Sequence, residues 1–541
     1  MKKLFAILVL VTSIVKAQQH KEPKLVVGIV IDQMRYDYIQ RYWNDFESNG
    51  FKRLVKDGYF NRNTHFNYVP TYTGPGHASI FTGTSPRYHG IIANNWYDKK
   101  EQKEVYCASD PNVKSVGVLN SEAGQMSPSR MLANTFGDEL KIYTQQRSKN
   151  YGISLKDRGA ILSIGHMADG AFWMDSKTGK MISSDFYWNN LPEWATKFNN
   201  KNLAKKYLSK RWTPLKEYNK LSTGDNNKYE GTFSTEETPT FPHDLQKISE
   251  ADGFGTLKAT PFGNSYLVDF AVDLIKNEQL GRDNTPDMLT ISFSSTDYVG
   301  HQYGTQAWET KDIYLRLDYE ISRLLKYIDK HVGLSNSVIF LTADHGGAHN
   351  AQYLIDHKAP GGYFDYRKMQ SALDIFLQEK YQVHGLIKNV SNQQIFLNHQ
   401  LLNSNKLNYL DVEASVNTFL LNYDGISQVY GRSTLSESLS SEYTAKLLSN
   451  GFHPARSADI AYVLNPAWMQ YHHYGTTHGS SYSYDTHVPL IWYGWNIKSG
   501  ESYERVNITD IAPTLCRFFN ISPPNGSDGS GITLPYSHKR R

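Results

Sequence analysis

The sequence predicts an α/β fold with a doubly wound, mostly parallel central sheet, helices on both faces and inserted cap segments. Short, continuously apolar runs recur along the chain, and such runs are typical of strands buried on both faces of a parallel sheet. Segments with helical periodicity alternate with these runs, which is the element order of a doubly wound sheet. The 541 residues, 40% hydrophobic and 20% charged, exclude a mainly disordered or coiled-coil chain.

Five apolar runs are the predicted core strands. The first, 25–31, is apolar throughout and ends at Asp32. The other four occupy residues 159–164, 288–293, 337–341 and 488–493. Because helices separate them, we expect most of these strands to run parallel.

Three helical segments are predicted between the strands. A polar stretch covers 36–59, a helix with one apolar face covers 127–146, and a long helix covers 311–331. Two blocks, 170–262 and 355–474, interrupt the alternation and are interpreted as insertions that cap the sheet.

Each inserted block carries its own predicted elements. In the first, 175–179 is predicted to be the turn of a hairpin. The second contains a strand at 394–397, a helix at 412–421 and a strand at 426–430.

The first 17 residues have the features of a signal peptide that is removed on export. Lys2 and Lys3 form a positively charged start, and 4–15 is a mostly apolar run. V-K-A at 15–17 places small or apolar residues at the two positions that signal peptidase reads. Because the run is too short to span a bilayer core of ~30 Å, we expect cleavage after Ala17. The mature protein is then periplasmic or secreted, without stable membrane insertion.

The charge balance and the cysteine count exclude two classes of function. With 57 Lys and Arg against 53 Asp and Glu, the net charge is +4, too balanced for a dedicated nucleic-acid binder. Two cysteines exclude a cysteine-based metal cluster, so a metal would need His, Asp or Glu ligands. Cys107 and Cys516 could pair in an oxidising compartment or remain two buried thiols, and the sequence leaves both possibilities open.

Three acids follow predicted strands, and they are the first candidates for a functional site. In an open α/β sheet, ligands bind beyond the carboxyl ends of the strands, where Asp32, Asp297 and Asp344 are expected. An Asp in this position can also be only the N-cap of the next helix. Two of the three have a histidine nearby, His301 and His345, which favours a metal site.

The histidines have spacings that suit metal binding. Asp297 and His301 form D-x-x-x-H, so both side chains share one face of a helical turn. Asp344 and His345 are adjacent and could bind one ion only if the chain turns at once, which the following G-G allows. His478, in the Gly-flanked segment Y-G-T-T-H-G, is a further candidate; His472 and His473 compete with it.

A separate segment, P-T-Y-T-G-P-G-H-A-S at 70–79, suits an anion-binding turn. Its G-P-G makes a sharp turn, and Ala78 to Thr82 can start a helix. This would place the Thr73 hydroxyl at a helix N-terminus, where an anion is favoured. A plain strand-to-helix turn is the alternative interpretation.

Taken together, the motifs resemble the alkaline phosphatase superfamily, and most closely its PafA-type bacterial alkaline phosphatases with a Thr nucleophile. The resemblance covers a single domain, 24–541, in the family's order. The matching segments are V-V-G-I-V-I-D-Q-M at 26–34, T-Y-T-G-P-G-H-A-S at 71–79, S-T-D-Y-V-G-H at 295–301, T-A-D-H-G at 342–346, T-H-G-S at 477–480 and V-N-I-T-D-I-A-P-T-L at 506–515.

The resemblance implies two zinc ions per chain. It assigns Asp297, His301 and His478 to one ion. It assigns Asp32, Asp344 and His345 to the other, with the Thr73 oxygen directed toward it.

The resemblance also implies three groups that contact the phosphoryl group. Asn94 matches the family's asparagine, although Asn95 is adjacent. Lys156 and Arg158 match a Lys and an Arg two residues apart; without the family, K-D-R would be interpreted as a solvated turn. If this segment is extended, Asp157 should point away from its neighbours and tolerate substitution.

The implied activity is hydrolysis of small phosphate monoesters through a phospho-threonine, by a monomer. The charges of two zinc ions, three aspartates and an alkoxide cancel, so a dianionic monoester needs the extra charge of Lys156 and Arg158. A phosphodiesterase or nucleotide pyrophosphatase on the same fold is the nearest alternative. A sulfatase is less favoured, because Cys107 and Cys516 both lie outside 70–79 and cannot supply the modified cysteine that a sulfatase needs there. A non-catalytic exported protein that binds a metal or phosphate would explain the His and Asp set but not the placement of Thr73.

Overall fold

The computed structural model describes residues 22–217, 224–437 and 441–536. The expected signal peptide, 1–17, lies outside the described residues. Within the described ranges, no helix combines the length and the apolar character needed to cross a membrane.

The strands of the described residues form one large sheet and four small ones. In chain order they are β1 Leu25–Ile31, β2 Tyr59–His65, β3 Asn95–Asp98, β4 Lys103–Tyr106, β5 Ser115–Val116, β6 Asn150–Ser154, β7 Gly170–Met174, β8 Met181–Ser184, β9 Arg211–Trp212, β10 His243–Asp244, β11 Asp287–Phe293, β12 Ser337–Thr342, β13 Gly362–Tyr363, β14 Ile387–Ser391, β15 Gln394–Leu397, β16 Ile426–Gly431, β17 Ile460–Leu464, β18 Trp468–Met469, β19 His487–Gly494 and β20 Gly500–Asn507.

The large sheet confirms the predicted fold class. Its ten strands have the order β20-β2-β19-β12-β1-β11-β6-β7-β8-β5. The five central strands, from β12 to β7, run parallel. Antiparallel strands β19 and β8 flank them. Every residue of β1, β11 and β12 is buried, which explains why these strands are apolar throughout most of their length.

Helices connect and cover the strands. In chain order they are α1 Asp37–Arg41, α2 Phe51–Asp57, α3 Thr73–Thr82, α4 Pro86–His89, α5 Phe136–Tyr143, α6 Asp157–Ile161, α7 Glu193–Asn200, α8 Leu203–Leu208, α9 Leu245–Asp252, α10 Pro261–Asn277, α11 Ser295–Tyr303, α12 Trp308–His331, α13 Ala351–Asp356, α14 Tyr366–Tyr381, α15 His399–Ser404, α16 Tyr409–Leu421, α17 Arg432–Glu437, α18 Tyr443–Gly451, α19 Ser483–Thr486 and α20 Ile511–Phe518. The long helix predicted at 311–331 is α12.

The predicted strand at 159–164 is wrong. The strand lies earlier, at β6, and the apolar run begins inside the short helix α6. This helix packs directly on β6, since a Cβ on Gly152 would lie 2.2 Å from the carbonyl oxygen of Ala160. Burial against β6, rather than membership of the sheet, therefore accounts for the apolar run.

Two predicted helices are too long. The segment 36–59 contains α1, α2 and the start of β2. The segment 127–146 is helical only in α5, which starts at a capping box between Thr135 and Asp138. The capping box fixes the N-terminus, so the apolar residues before it are not part of the helix.

The two inserted blocks differ in their relation to the large sheet. In 170–262, the predicted hairpin is present, and its strands β7 and β8 belong to the large sheet. In 355–474, β14, β15, β17 and β16 form a separate four-stranded sheet with its own apolar core. The strand predicted at 394–397 is β15, and the helix and strand predicted after it are α16 and β16.

Candidate active site

Three buried carboxylates meet where β1, β11 and β12 end. The parallel pairing of β1 with both neighbours brings the three strand ends to one edge of the sheet. Asp32 follows β1 directly, Asp344 follows β12, and Asp297 lies in the first turn of α11. The sequence predicts this convergence correctly. None of the three is more than 3% exposed.

The carboxylates form two overlapping groups of potential metal ligands with histidines. Ligand atoms of Asp32, Asp344 and His345 lie within 4.8 Å of one another, as do those of Asp297, His345 and His478. The first group is the one that the family resemblance implies. His345 belongs to both groups, so its ring lies at the centre of the site.

His301 reaches the site but is not part of the compact groups. Its Nε2 lies 3.2 Å from Asp297 Oδ1, as the D-x-x-x-H spacing predicts. The Nε2 atom of His478 lies 3.6 Å from the same oxygen. The competing candidates His472 and His473 are exposed and belong to neither group.

Backbone carbonyls orient all three histidine rings. In each ring Nδ1 faces a main-chain oxygen, at 2.7 Å for His301, 2.9 Å for His345 and 2.8 Å for His478. A proton on Nδ1 leaves the Nε2 lone pair directed toward the carboxylates. Metal-binding histidines are usually held in this way.

The protonation states suit a metal site. Burial lowers the pKa of His345 to about 3. Burial, together with His345, holds the pKa of His478 well below its usual range. Both imidazoles are therefore neutral near pH 7, as a metal ligand must be.

The carboxylates also carry oxygens that lack a donor. Asp32 Oδ1 and Asp344 Oδ2 are buried and accept no hydrogen bond from any described residue. Burial, followed by repulsion from Asp32, raises the pKa of Asp344 well above its usual range. Buried carboxylate oxygens that accept no hydrogen bond are unfavourable unless a cation lies beside them. These two oxygens therefore suit coordination of a metal ion.

Thr73 lies beside the ligand groups. It lies at a helix N-terminus, as predicted, but α3 starts at Thr73 rather than at Ala78, so G-P-G belongs to the first turn of the helix. The Thr73 Oγ1 lies 3.4 Å from His345 Nε2. The G-P-G turn permits this approach, because a Cβ on Gly76 would lie 2.3 Å from the carbonyl oxygen of Asp344. The segment that carries Thr73 and the end of β12 are therefore in direct contact.

Asn94 is fixed against the same turn. Its Oδ1 accepts a hydrogen bond of 2.7 Å from the Gly74 N–H. The Nδ2 group then remains available to a ligand beside Thr73. Asn95 lies on β3 and is exposed, so the structure brings Asn94 rather than Asn95 to the site.

Lys156 joins the two ligand groups electrostatically. Its Nζ lies 2.6 Å from Asp32 Oδ2 and 2.5 Å from Asp297 Oδ2. Burial opposes the charge on this ammonium, but the two carboxylates outweigh burial and raise the pKa of Lys156. The side chain is therefore a buried cation between one carboxylate of each group.

The expectation that Asp157 points away from its neighbours is wrong. Lys156 is extended, but α6 begins at Asp157, so the two-residue periodicity of a strand does not apply. The Asp157 carboxylate accepts a hydrogen bond from the Tyr106 hydroxyl. Arg158 Nη1 donates to the same hydroxyl at 3.1 Å.

Gln33 is a site residue that sequence reasoning missed. Its side-chain Nε2 donates to Asp297 Oδ1 at 2.7 Å, and its backbone N–H donates to Asp344 Oδ1 at 3.2 Å. The residue is buried, and its φ of 62° is rare for a residue other than glycine. Gln33 therefore links carboxylates of both ligand groups.

Two glycines leave room for Gln33. A Cβ on Gly300 would lie 1.9 Å from Gln33 Oε1, and a Cβ on Gly347 would lie 3.2 Å from Gln33 Cγ. Both glycines stand inside the D-Y-V-G-H and D-H-G-G segments. Gly300 directly precedes His301, and Gly347 follows His345 by two residues; glycines this close to candidate ligands were the signal that could have indicated a close neighbour.

Comparisons with known proteins agree with this geometry. The sequence profile of a family described as type I phosphodiesterase / nucleotide pyrophosphatase matches residues 26–489. A protein of Myroides odoratus named calcium-transporting ATPase is 40% identical, over 96% of each chain. Alkaline phosphatase PafA of Elizabethkingia meningoseptica is 41% identical, over 94% of each chain.

Crystal structures of PafA have the same fold. Wild-type PafA gives a TM-score of 0.91 at 40% identity, covering 94% of this chain and 98% of that one. A PafA variant substituted at a Thr, an Asn, a Lys and an Arg gives the same values.

Proposed function

Since this chain belongs to the type I phosphodiesterase / nucleotide pyrophosphatase family of the alkaline phosphatase superfamily, we propose that it is an alkaline phosphatase that uses Thr73 as nucleophile. Identity of about 40% to PafA along nearly the whole chain makes it a hydrolase of phosphoric monoesters. Small phosphate esters are the substrates. A phosphodiesterase on the same fold is the second candidate, which the Lys156 and Arg158 pair disfavours.

The site is suited to two zinc ions. Neutral imidazoles and carboxylates are ligands that zinc prefers, and Nε2 atoms directed at donor-free carboxylate oxygens support such a site. We assign Asp297, His301 and His478 to one ion, and Asp32, Asp344 and His345, with the Thr73 oxygen, to the other. When bound, two such ions supply positive charge to the attacking and leaving oxygens of an in-line phosphoryl transfer.

Thr73 carries the covalent step. Its Oγ1 loses a proton to solvent and attacks phosphorus; the new Oγ1–P bond replaces the bond to the leaving oxygen, which departs as the alcohol after taking up a proton. Water then attacks the phospho-threonine, releases inorganic phosphate and restores the hydroxyl. The position of Oγ1 at the helix N-terminus, 3.4 Å from the ring shared by both ligand groups, is the observation that carries this assignment.

Three further side chains contact the phosphoryl group in this proposal. Asn94 offers its free amide group, and Lys156 and Arg158 offer positive charge. The residues substituted in the PafA variant are of the same four types as these three and Thr73, in the same order and at the same separations along the chain. The two cations favour a dianionic monoester over a monoanionic diester.

Variants of Thr73 test the nucleophile. Thr73→Ala removes the hydroxyl and should lower kcat for p-nitrophenyl phosphate by several orders of magnitude, whereas Thr73→Ser should retain measurable activity. Thr82→Ala is the matched control, because its hydroxyl lies at the other end of α3, where it donates to Ala78 O at 2.8 Å and accepts from the Thr84 N–H at 3.4 Å. Near wild-type activity of Thr73→Ala would show that Thr73 is only a turn residue.

We also propose that the chain is exported and monomeric. The features of 1–17 support removal of a signal peptide after Ala17. N-terminal sequencing of protein recovered outside the cytoplasm should begin at Gln18. Full-length protein retained with the cells would contradict export.

A further inference from the structure

A β-hairpin brings two phosphoryl-site elements together. Asn94 directly precedes β3, and Tyr106 is the last residue of β4. The two strands pair so that Asn95 lies opposite Tyr106, and the Cys107 N–H donates to Asn94 O at 2.8 Å. Asn94 and Tyr106 therefore leave the hairpin side by side, close to Thr73 and Arg158.

Tyr106 stands in a directed chain of hydrogen bonds. Arg158 Nη1 donates to the Tyr106 oxygen at 3.1 Å, and the Tyr106 hydroxyl donates to Asp157 Oδ1. The Arg158 backbone N–H donates to the same Asp157 oxygen at 2.5 Å. Because the carboxylate accepts the phenolic hydrogen, the lone pairs of the phenolic oxygen remain directed at the guanidinium.

The arrangement holds the guanidinium without neutralising it. Among the residues that the structure describes, no carboxylate forms an ion pair with Arg158; the Asp157 carboxylate is occupied by the tyrosine and a backbone N–H. The Arg158 Nε–H is buried and has no partner within the described ranges. A buried donor without an acceptor indicates a missing ligand, and a phosphoryl oxygen would satisfy it.

We propose that Tyr106 and Asp157 are positioning residues that orient Arg158 toward a dianionic phosphoryl group. This inference rests on the function proposed above for Arg158. Neither side chain needs to touch the substrate. Their effect is on selectivity between monoesters and diesters, because an ill-oriented guanidinium loses its hydrogen bonds to the additional charged oxygen of a monoester.

Tyr106→Phe tests the hydroxyl alone. The measurement is kcat/KM for p-nitrophenyl phosphate and for methyl p-nitrophenyl phosphate, which share a leaving group. Loss of the hydrogen bond between this hydroxyl and the charged guanidinium should lower the monoester value about 10- to 100-fold and change the diester value less than about 2-fold. Tyr187→Phe is the control: Tyr187 packs in the same apolar cluster, and its hydroxyl has no partner among the described residues.

The Arg158→Ala background separates this inference from the proposed function. There, Tyr106→Phe should have no further effect on either substrate, because nothing remains to be positioned. If Arg158→Ala lowers the monoester-to-diester ratio but Tyr106→Phe does not, the positioning role is refuted and the proposed function stands. If Arg158→Ala itself leaves the monoester-to-diester ratio unchanged, both the positioning role of Tyr106 and the role proposed for Arg158 are refuted.

Asp157 variants distinguish positioning from simple charge repulsion. Asp157→Asn keeps an acceptor for the tyrosine and should stay within about 2-fold of wild type, whereas Asp157→Ala should resemble Tyr106→Phe. If Asp157 acted only as a negative charge near the substrate, both variants would raise monoester kcat/KM, which would overturn the inference. The two Asp157 variants also test the positioning role if Tyr106→Phe does not fold.

Discussion

Gly300→Ala is expected to disturb the site through Gln33 alone. The added Cβ would lie 1.9 Å from Gln33 Oε1, so the amide has to move. It cannot move far while keeping its hydrogen bond of 2.7 Å to Asp297 Oδ1, because the Gln33 backbone is itself held by its N–H bond to Asp344 Oδ1. The expected result is loss of the contact that orients Asp297.

The expected change in the free energy of unfolding follows from two opposing effects. A buried hydrogen bond to a charged acceptor contributes ~1.5–3 kcal/mol. Alanine inside a helix such as α11 regains ~1 kcal/mol over glycine. The free energy of unfolding should therefore fall by ~0.5–2 kcal/mol. Loss of a group that orients a metal ligand typically weakens metal binding by about 10- to 100-fold.

The assay is zinc transfer to a chromogenic chelator, together with urea unfolding. Gly255→Ala is a matched control, because the nearest atom to its Cβ would be 3.7 Å away. In a Gln33→Ala background the space beside Gly300 is free, so adding Gly300→Ala should not increase the rate of zinc transfer further. Wild-type zinc retention in Gly300→Ala, or full additivity with Gln33→Ala, would refute the proposed role of Gln33.

Three further predictions concern charge and metal. Lys156→Ala/Arg158→Ala should lower kcat/KM for a monoester roughly two to four orders of magnitude more than for a diester with the same leaving group; an equal loss would restore the diesterase alternative. Burial, followed by repulsion from Glu309, raises the pKa of Glu230 to about 10. The contribution of this carboxyl to stability is therefore fully present below the pKa of the unfolded state and is lost as the pH rises toward 10. Glu230→Gln should therefore raise Tm at pH 9 and leave it unchanged at pH 4; the same shift at both pH values would contradict the burial. A chelator should abolish phosphatase activity and Zn²⁺ should restore it, whereas full activity of metal-free enzyme would exclude the two-metal mechanism.

The strands that build the site were predictable because they are buried on both faces. β1, β11 and β12 lie in the centre of the sheet, and their apolar character follows from that position. β6 was not predictable in the same way, since it contains Asn150, Gly152 and Ser154 and its stability comes from α6 packed on it. Local pattern cannot separate a buried strand from an apolar segment that covers one.

The convergence of the candidate ligands was predictable because chain geometry brings them together. Asp32 and Asp344 follow adjacent parallel strands, and Asp297 and His301 share a helical face. Gln33 and Tyr106 act through partners 264 and 52 residues away in the chain, Asp297 and Arg158. Such contacts depend on the three-dimensional packing of distant segments, which no spacing within the sequence encodes.

Stereochemistry at phosphorus tests the covalent role of Thr73 most directly. A monoester made chiral at phosphorus with oxygen isotopes would be incubated with the enzyme and an alcohol acceptor, and the configuration of the transferred phosphoryl group determined. Attack by Thr73 followed by attack of the acceptor is two in-line displacements, each of which inverts phosphorus, so net retention is expected. Net inversion would show a single direct displacement and contradict a phospho-threonine intermediate.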